Sequence, residues 1–368
     1  MTKEKKFKKK KLWQKIIICL LLIILIIVLG FSALIGYLTL TEFNPDKEVP
    51  LKLTGKSQTE AVYKSKELTA VSWNIGYGAL GSDADFFMDG GKSVDTADKA
   101  GVNKNLKGIS SELNSLNPDF ILLQEVDTDA KRSSYINEAS KLQSELLNQD
   151  YQSSFAENFK VKFIPYPIPP IGKVNAGIMT LSKSKISEAT RVQLPCPFKW
   201  PTRIGNLKRC LSINRLPIEG SDKELVIVNL HLEAYDDGEG KKAQAEMLRK
   251  YLQAEADKGN YVIAGGDFNQ TFSGTDTSII KQFNGTWKPP VLDTDKFDKS
   301  WQFLMDTKTA SCRSLDKPLT SLNTNKFQFY IIDGFIVSSN IKVTSLETKQ
   351  MGFKNTDHNP VVLKFKLK

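Results

Sequence analysis

A run of 25 residues without a charged side chain, Ile16–Leu40, restricts the folds open to this chain. A helix of that length spans about 37 Å at about 1.5 Å per residue, which is enough to cross a bilayer with some tilt. A secretory signal peptide is the alternative, but its apolar core is about 7–15 residues long and ends at a small-residue cleavage site. Here Gly30, Ser32 and Ala33 lie inside the run. The pattern therefore predicts an uncleaved transmembrane helix.

The charge distribution predicts how that helix is oriented. Residues 1–15 hold eight lysines and one acid, Glu4, and so carry +7 of the formal net charge of +10. Basic flanks stay on the cytoplasmic side, which predicts a cytoplasmic N-terminus and an extracellular remainder at the cell membrane. The remainder carries only +3, and this charge does not by itself indicate nucleic-acid binding.

The rest of the chain divides into a linker and one domain. Residues 41–65 are polar, contain Pro45 and Pro50, and predict a stalk. Residues 66–368 alternate strand-like and helical patterns with hairpins, which predicts an α/β domain of mixed sheets with helices outside them. Helices are predicted at Asn103–Leu116, Ser134–Asn148 and Gly240–Lys258. Strands are predicted at Leu68–Asn74, Asp119–Val126, Val174–Leu181, Cys210–Leu216, Glu224–Leu232, Tyr261–Ala264, Tyr330–Val337 and Pro360–Leu367.

Two further segments leave alternatives open. Lys160–Lys173 is rich in proline and predicts neither a helix nor a central strand. It either overhangs a site, touches lipid, or is an ordinary packed surface loop. Cys196 and Cys210 flank a short basic segment, and an exported domain permits a disulfide between them. No cysteine–histidine spacing indicates zinc.

The segment Tyr261–Gln270, YVIAGGDFNQ, is the strongest candidate for a functional strand end. Four strand-prone residues lead into two glycines, and Asp267 and Asn269 follow where the strand ends. Open α/β sheets place their ligand groups at such positions. An Asx-turn after a buried strand is the alternative interpretation.

Other polar side chains suited to metal or phosphate chemistry also stand at strand ends. They are Asn74, Glu125, Asn229, His231, Asp333, Asp357 and His358. A single histidine in a strand is more often a packed residue, but both histidines of this chain belong to the set. Glu125 follows the apolar run FILLQ, and an ionised carboxylate in such surroundings needs a partner.

The candidate ligands are carboxylate, amide and imidazole groups, without a thiolate. This set suits Mg²⁺ or Mn²⁺, bound by one or two carboxylates with water and a substrate phosphate. It does not suit a closed structural zinc site.

The motifs WNIG, LLQEVD, NLHLEA, GGDFNQ, IDGFIVS and TDHNPVV stand in this order along the chain. Over residues 68–368 the chain resembles the endonuclease/exonuclease/phosphatase superfamily. That superfamily includes pancreatic-type deoxyribonuclease, apurinic endonucleases, inositol polyphosphate 5-phosphatases and neutral sphingomyelinases. The resemblance implies a four-layer α/β sandwich of two packed mixed sheets flanked by helices, and Mg²⁺-dependent hydrolysis of a phosphate ester.

The resemblance also implies roles for individual residues around the metal. Glu125 corresponds to the main metal ligand, with Asn74 nearby, and Asp357 touches the metal directly or through water. His358 acts on the attacking water or the scissile phosphate. Asp333 orients that histidine.

The remaining roles that the resemblance implies concern the nucleophile and the phosphate. Asp267 positions or deprotonates the attacking water, and Asn269 donates to a phosphate oxygen. His231 contacts the phosphate or protonates the leaving oxygen, with Asn229 supporting it. Gly76 stands where many relatives have an acidic or polar residue, which puts a second metal site in doubt.

These observations predict a membrane-anchored, outward-facing metal-dependent phosphoric ester hydrolase without an obligate protein partner. A lipid headgroup or another membrane-proximal phosphodiester is the leading substrate. A surface nuclease is the alternative, because Lys199, Arg203, Lys208 and Arg209 form a basic cluster in which Arg203 is a candidate substrate-binding residue. A binding protein that keeps the fold without catalysis is the second alternative.

Overall fold

The structure, a computed structural model, describes residues 3–147, 150–236 and 238–368, apart from the side chains of residues 3–10 and 146. Within these ranges there are four α-helices: α1 Lys3–Leu40, α2 Lys99–Leu116, α3 Glu138–Lys141 and α4 Glu239–Asp257. Helix α1 is long and apolar enough to cross a membrane by length and composition, a test that a signal sequence near the N-terminus also passes.

Local sequence explains where the helices begin and end. Asp98 caps α2 by accepting from the Gly101 N–H group, and Asn117 ends it in the left-handed conformation before Pro118. The helix predicted from Ser134 begins later, because Ser134 and Tyr135 have positive φ angles and Asn137 supplies the cap. Helix α3 is followed by one π-helical turn, Leu142–Leu146, and Asn148 lies outside the described residues.

The described residues form eighteen strands. They are β1 Glu48–Pro50, β2 Leu53–Gly55, β3 Leu68–Asn74, β4 Phe120–Asp127, β5 Gln152–Ile164, β6 Gly172–Ser182, β7 Glu188–Gln193, β8 Cys210–Pro217, β9 Glu224–His231, β10 Tyr261–Asp267, β11 Thr271–Phe272, β12 Val291–Leu292, β13 Gln302–Leu304, β14 Cys312–Arg313, β15 Phe329–Tyr330, β16 Asp333–Val337, β17 Ile341–Thr348 and β18 Val361–Leu367.

Two seven-stranded mixed sheets contain most of these strands. The first has the order β1-β7-β8-β9-β10-β16-β13, and the second has the order β17-β18-β3-β4-β6-β5-β2. Each sheet has one parallel pair near its centre, β9 with β10 and β3 with β4, flanked by antiparallel strands. Toward the carboxyl ends of these four central strands lie Asn74, Glu125, His231 and Asp267.

The two sheets pack face to face with helices outside them. Apolar side chains from both sheets fill the space between them, including Phe120 and Leu122 from one and Ile263 and Phe335 from the other. Helix α2 packs its apolar side on the outer face of the second sheet. Helix α4 packs on the outer face of the first sheet. The predicted four-layer α/β sandwich is confirmed.

The prediction that residues 41–65 form a stalk is wrong for most of that segment. Strand β1 pairs with β7 at the edge of the first sheet, and β2 pairs with β5 at the edge of the second. Val62 is buried in the core between the sheets, and its N–H group donates to the Pro217 carbonyl. Strands of three residues on sheet edges carry too little periodicity to be distinguished from a polar linker.

We expect Val62→Ala to lower the free energy of unfolding by about 1–3 kcal/mol, because it removes two methyl groups from a well-packed core. Thermal unfolding of the full chain in detergent measures the effect. Val291→Ala, at a position that is 63% exposed, is the matched control and leaves the midpoint unchanged within error. Equal midpoints for Val62→Ala and the wild type would show that this segment is a linker after all.

The structure also answers two questions that the sequence left open. Strands β5 and β6 form a long hairpin, so Lys160–Ile164 is strand and only residues 165–171 form the proline-rich loop. Cys196 and Cys210 are free, and Cys210 is buried with its sulfur directed at the Glu157 carbonyl.

Candidate active site

The predicted functional side chains meet where the central strands of the two sheets end. In the first sheet the register places Asp267 opposite His231 on one side and opposite Asp333 on the other. In the second sheet Asn74 is the last residue of β3. His358 comes from the loop that enters β18. Three strand ends and one loop therefore converge on Asp267.

The two glycines before Asp267 are required by close packing. A Cβ atom at Gly266 would collide with the Leu230 carbonyl oxygen of the neighbouring strand, and one at Gly265 would collide with the Phe335 ring. Neither neighbour is a flexible side-chain end. Strand β10 can therefore lie deep between its neighbours only with glycine at both positions, and this depth brings Asp267 into the cluster.

The Asp267 carboxylate is the centre of the cluster. Its Oδ2 atom lies 3.1 Å from Asn74 Nδ2, 3.5 Å from His231 Nε2 and 3.7 Å from His358 Nε2. Its Oδ1 atom accepts from the Asn269 N–H group at 2.9 Å. Asn269 has a positive φ angle, and its side chain donates to the Leu232 carbonyl at 2.9 Å while it lines the adjoining pocket.

The His358 ring is held in one orientation. Its Nδ1 atom lies 2.9 Å from Asp333 Oδ2, and the indole of Trp73 donates to the His358 carbonyl at 2.9 Å. The Ser311 hydroxyl accepts from the Asp333 N–H group at 3.1 Å. A carboxylate on Nδ1 fixes the tautomer of an imidazole and leaves Nε2 to face the reacting groups.

Glu125 reaches the cluster through an irregularity in β4. The register against β6 shifts between Leu123 and Val126, and Glu125 has a φ angle of +54°. A bulge of this kind turns a side chain away from the regular alternation. Asn74 Nδ2 donates to Glu125 Oε1 at 3.0 Å, so one amide holds both Glu125 and Asp267.

Asn74 was predicted as a metal ligand. Its amide oxygen, the atom that a cation would need, accepts from the Gly76 N–H group at 3.0 Å. The metal-ligand role stays a prediction, because an amide oxygen that accepts one hydrogen bond keeps a second lone pair for a cation. A Cβ atom at Gly76 would lie 2.9 Å from Asp357 Oδ1 and from Thr356 Oγ1. The space that a side chain at this position would need is therefore occupied by the loop carrying Asp357.

The surroundings of the two imidazoles shift their pKa values in opposite directions. Burial lowers the pKa of His231, and the nearby Arg209 and His358 lower it further. Burial is the largest single influence on His358 and acts to lower its pKa, but Asp333, Cys312 and Asp357 together raise that pKa well above its ordinary range. Environments that separate two pKa values in this way are typical of paired catalytic groups.

Burial, and after it the neighbouring carboxylates, shift the pKa values of Asp267 and Asp357 upward. Burial, reinforced by the Asp333 carboxylate, raises the pKa of Asp267 to about 7. Burial also raises the pKa of Asp357 to about 6, opposed by His358 and reinforced by Glu125. Several acids in one buried site are stabilised when a cation neutralises them.

The cluster forms the floor of a pocket of about 400 Å³. Glu125, His231, Asp267, Asp357 and His358 all line it. The walls are mainly apolar, with Leu80, Phe86, Phe87, Phe159, Ile171 and Leu207 among the lining residues. A concave apolar pocket with a few convergent polar groups is the usual form of a small-molecule site.

A sequence model described as the Endonuclease/Exonuclease/phosphatase family matches residues 71–314, more than half of the chain. The chain belongs to this family. Membership supports hydrolysis of a phosphoric ester as the activity. No curated protein sequence matches the chain.

Solved structures of family members share the fold at low sequence identity. An endonuclease/exonuclease/phosphatase from Beutenbergia cavernae is 17% identical, with a TM-score of 0.56 over 82% of this chain and 72% of its own. Truncated TDP2 from Caenorhabditis elegans is 17% identical, with a TM-score of 0.50 over 82% of this chain and 98% of its own. ANGEL2, described as a 2′,3′-cyclic phosphatase, is 13% identical, with a TM-score of 0.51 over 87% and 98%.

Two residues that the sequence predicted to bind substrate, Asn229 and Arg203, lie outside the pocket of this chain. Asn229 is fully buried between the sheets, where it accepts from Gln124 and donates to the Leu123 and Met179 carbonyls. It shares a strand face with His231 but lies two residues deeper, and so it cannot meet a substrate. Arg203 is not among the pocket residues and pairs with Glu42 at 3.2 Å.

Two arginines that line the pocket, Arg132 and Arg209, were not predicted as site residues from the sequence. The Arg132 guanidinium lies 3.8 Å from the centre of the Tyr77 ring and pairs with Asp127 at 2.8 Å. Arg209 lies 3.4 Å from Glu233, donates to the His231 carbonyl and lines the pocket. These residues stand outside the strand-end motifs, and no spacing in the sequence connects them with the site.

The donor set fits a divalent cation of the Mg²⁺ class. Glu125, Asp267 and Asp357 present carboxylates to one pocket. Asp267, Asp333 and His358 have ligand atoms within 4.8 Å of one another. Among the described residues Asp333 Oδ1 is buried without a hydrogen-bond partner. Oxygen-rich, thiolate-poor surroundings suit Mg²⁺ or Mn²⁺. Cys312 also lies near Asp357 and His358, but burial raises the pKa of its thiol, which disfavours the thiolate needed for binding.

Proposed function

We propose that this protein is a membrane-anchored hydrolase that uses Mg²⁺ or Mn²⁺ to cleave a phosphoric ester in a lipid headgroup. The observation that supports it most directly is the pocket in which the Asp267 cluster forms the floor and apolar side chains form the walls. The floor accounts for the reaction, and the walls favour a substrate with an apolar part.

Asp267 is the residue best placed to receive a proton from the attacking water. Its pKa of about 7 suits a general base at neutral pH, and its Oδ2 atom faces both imidazoles. Asn74 holds this carboxylate in position. Asn269 lines the same pocket, and its amide, which donates one hydrogen to the Leu232 carbonyl, has a second N–H available for a phosphate oxygen.

The two histidines have different tasks in this proposal. His358 is a cation fixed by Asp333, and its Nε2–H group donates to a phosphate oxygen as negative charge develops. His231 is neutral and contacts the phosphate or the leaving oxygen from the opposite side of Asp267. Arg132 and Arg209 also line the pocket, each paired with a carboxylate.

Glu125 and Asp357 are the residues that would hold the cation, with Asn74 orienting Glu125. When bound, the ion supplies neutralisation of phosphate charge and stabilisation of the leaving oxygen. Removal of either carboxylate is expected to weaken ion binding without changing the fold.

The charges around the pocket favour a lipid over a nucleic acid. Of the basic cluster at residues 199–209, Arg203 and Lys208 both pair with Glu42, and Arg209 pairs with Glu233. These ion pairs remove much of the charge that a phosphate backbone would need. Helix α1 would place the enzyme beside its substrate, with residues 1–15 cytoplasmic and the domain outside.

A substrate panel tests this proposal. The full chain in detergent, supplied with Mg²⁺, is assayed side by side on phosphatidylcholine, phosphatidylglycerol, sphingomyelin, inositol phosphates and single- and double-stranded DNA. We expect a lipid to be the best substrate, with a kcat/KM at least about tenfold above that for DNA. Cleavage of DNA alone would replace the lipid proposal with a surface nuclease.

A further inference from the structure

The end of helix α1 is fixed to the domain rather than joined to it by a free tether. The Trp200 indole donates to Thr39 Oγ1 at 3.1 Å. One turn further on, Glu42 Oε1 lies 3.2 Å from Arg203 Nε and 3.0 Å from Lys208 Nζ, with both Glu42 and Lys208 nearly buried. The Phe43 ring lies beneath Lys160. These contacts set the orientation of the domain relative to the helix.

Two tryptophans mark the ends of the apolar part of that helix. Trp13 precedes the charge-free run, and Trp200 contacts Thr39 at its other end. The two levels are about 39 Å apart at about 1.5 Å per helical residue. This matches a bilayer of about 40–45 Å including headgroups, and tryptophan is enriched at both membrane interfaces. If α1 spans the membrane as proposed above, Trp200 is at the level of the outer headgroups.

Other large apolar side chains are exposed in the two segments that hold the helix end. Tyr166 and Ile168 in the proline-rich loop are 73% and 93% exposed, and Phe163 is 38% exposed. Trp200 is 55% exposed. Lys162 and Lys199 are exposed beside them and suit anionic headgroups. We call Phe163, Tyr166, Ile168 and Trp200 the docking surface.

The same two segments also form part of the pocket. Ile164, Tyr166 and Ile171 line it from the proline-rich side, and residues 205–207 line it from the side of Trp200. Phe163 and Ile168 are their neighbours in the chain. The docking surface is therefore continuous with the pocket wall, and both lie next to the end of α1.

We propose that the docking surface inserts into the outer leaflet of the membrane that α1 spans, so that the pocket opens onto that leaflet and a lipid enters it without passing through water. This inference rests on the proposed membrane anchor. The occupant is a bilayer rather than a protein, because the surface is adjacent to a helix end that is itself at the interface.

The contact with lipid is tested by an added tryptophan. Full-length Ile168→Trp and the control Val291→Trp are placed in lipid nanodiscs of phosphatidylcholine and phosphatidylglycerol, with or without bromine on the acyl chains. Fluorescence of the wild type is subtracted from each. We expect brominated lipid to cause loss of the fluorescence added at residue 168, and no loss of the fluorescence added at residue 291. An unquenched signal at residue 168 overturns the proposal. The proposal is also overturned if residue 168 is protected from quenching only in discs that hold more than one protein copy, because a second copy then covers the surface.

A second variant connects the contact with turnover. Ile168→Asp is expected to lower cleavage of lipid embedded in nanodiscs by about tenfold, from loss of one buried apolar side chain. Hydrolysis of the soluble diester bis(p-nitrophenyl) phosphate stays at the wild-type rate, which shows that the variant is folded. Quenching at residue 168 with no lipid cleavage by the wild type would keep the docking surface and reject the lipid substrate. Equal lipid cleavage by Ile168→Asp and the wild type would overturn entry from the membrane.

Discussion

His358→Ala is expected to lower kcat for phosphoric ester hydrolysis by about 10³–10⁴-fold, which is the upper part of the range for general acid–base groups. The His358 imidazole is the positive group that faces Asp267 at the pocket floor. Among the described residues, Asp333 has no other partner of opposite charge within hydrogen-bond distance. Steady-state kinetics on the best substrate of the panel measure the loss. An unchanged thermal midpoint, or an unchanged circular dichroism spectrum, confirms that the variant is folded.

Asp333→Asn separates positioning from direct participation. We expect this variant to lose about 10²-fold or more in kcat, because an amide cannot hold the His358 tautomer or its charge. The double variant with His358→Ala should be no slower than His358→Ala alone, since Asp333 acts through the histidine. Additive losses in the double variant would show that Asp333 acts on the substrate by another route.

Chelation is expected to abolish hydrolysis, and Mg²⁺ or Mn²⁺ should restore it. Glu125→Ala should raise the metal concentration needed for half-maximal activity by about 10–100-fold or more, because a carboxylate that faces the shared pocket is lost. The measurement is a metal titration of activity with chelated enzyme. Glu246→Ala on the surface of α4 is the matched control, since this carboxylate pairs with Arg249 and Lys250 of the same helix and does not line the pocket.

Either of two outcomes would contradict this part of the account. Full activity in excess chelator would remove the cation from the mechanism. A wild-type protein without turnover of any phosphoric ester in the presence of Mg²⁺ or Mn²⁺ would favour the non-catalytic binding protein that the sequence left open.

The sequence predicts the strand ends better than the edges of the fold. Strand β3 and helices α2 and α4 are found within a residue or a few residues of their predicted bounds, because long periodic segments and caps carry strong local signals. Strands β1 and β2 were assigned to a stalk. Each of them has three residues and lies at a sheet edge. They are strands because they pair with β7 and β5, and their local sequence pattern does not show it.

The site shows the same division between what is local and what depends on tertiary structure. Asp267 was identified because glycine pairs and polar residues at a strand end are visible in the chain. The bulge that redirects Glu125 was not predicted, because it depends on the register of β4 against β6. Asn229 was wrongly assigned to the substrate site. The alternation of side chains along a strand predicts which face a residue is on, but not how far it lies from the end of the strand where the site is. Arg132 and Arg209 enter the pocket from loops without any motif.

The central claim is that Glu125, Asp267, Asp357 and His358 surround one divalent cation and the phosphorus beside it. Anomalous diffraction from crystals grown with Mn²⁺ tests it most directly. The account predicts a single strong peak at the floor of the pocket, about 2.0–2.2 Å from a Glu125 carboxylate oxygen, which disappears in Glu125→Ala. A peak elsewhere on the molecule, or none at this floor in crystals of active enzyme, would contradict the account.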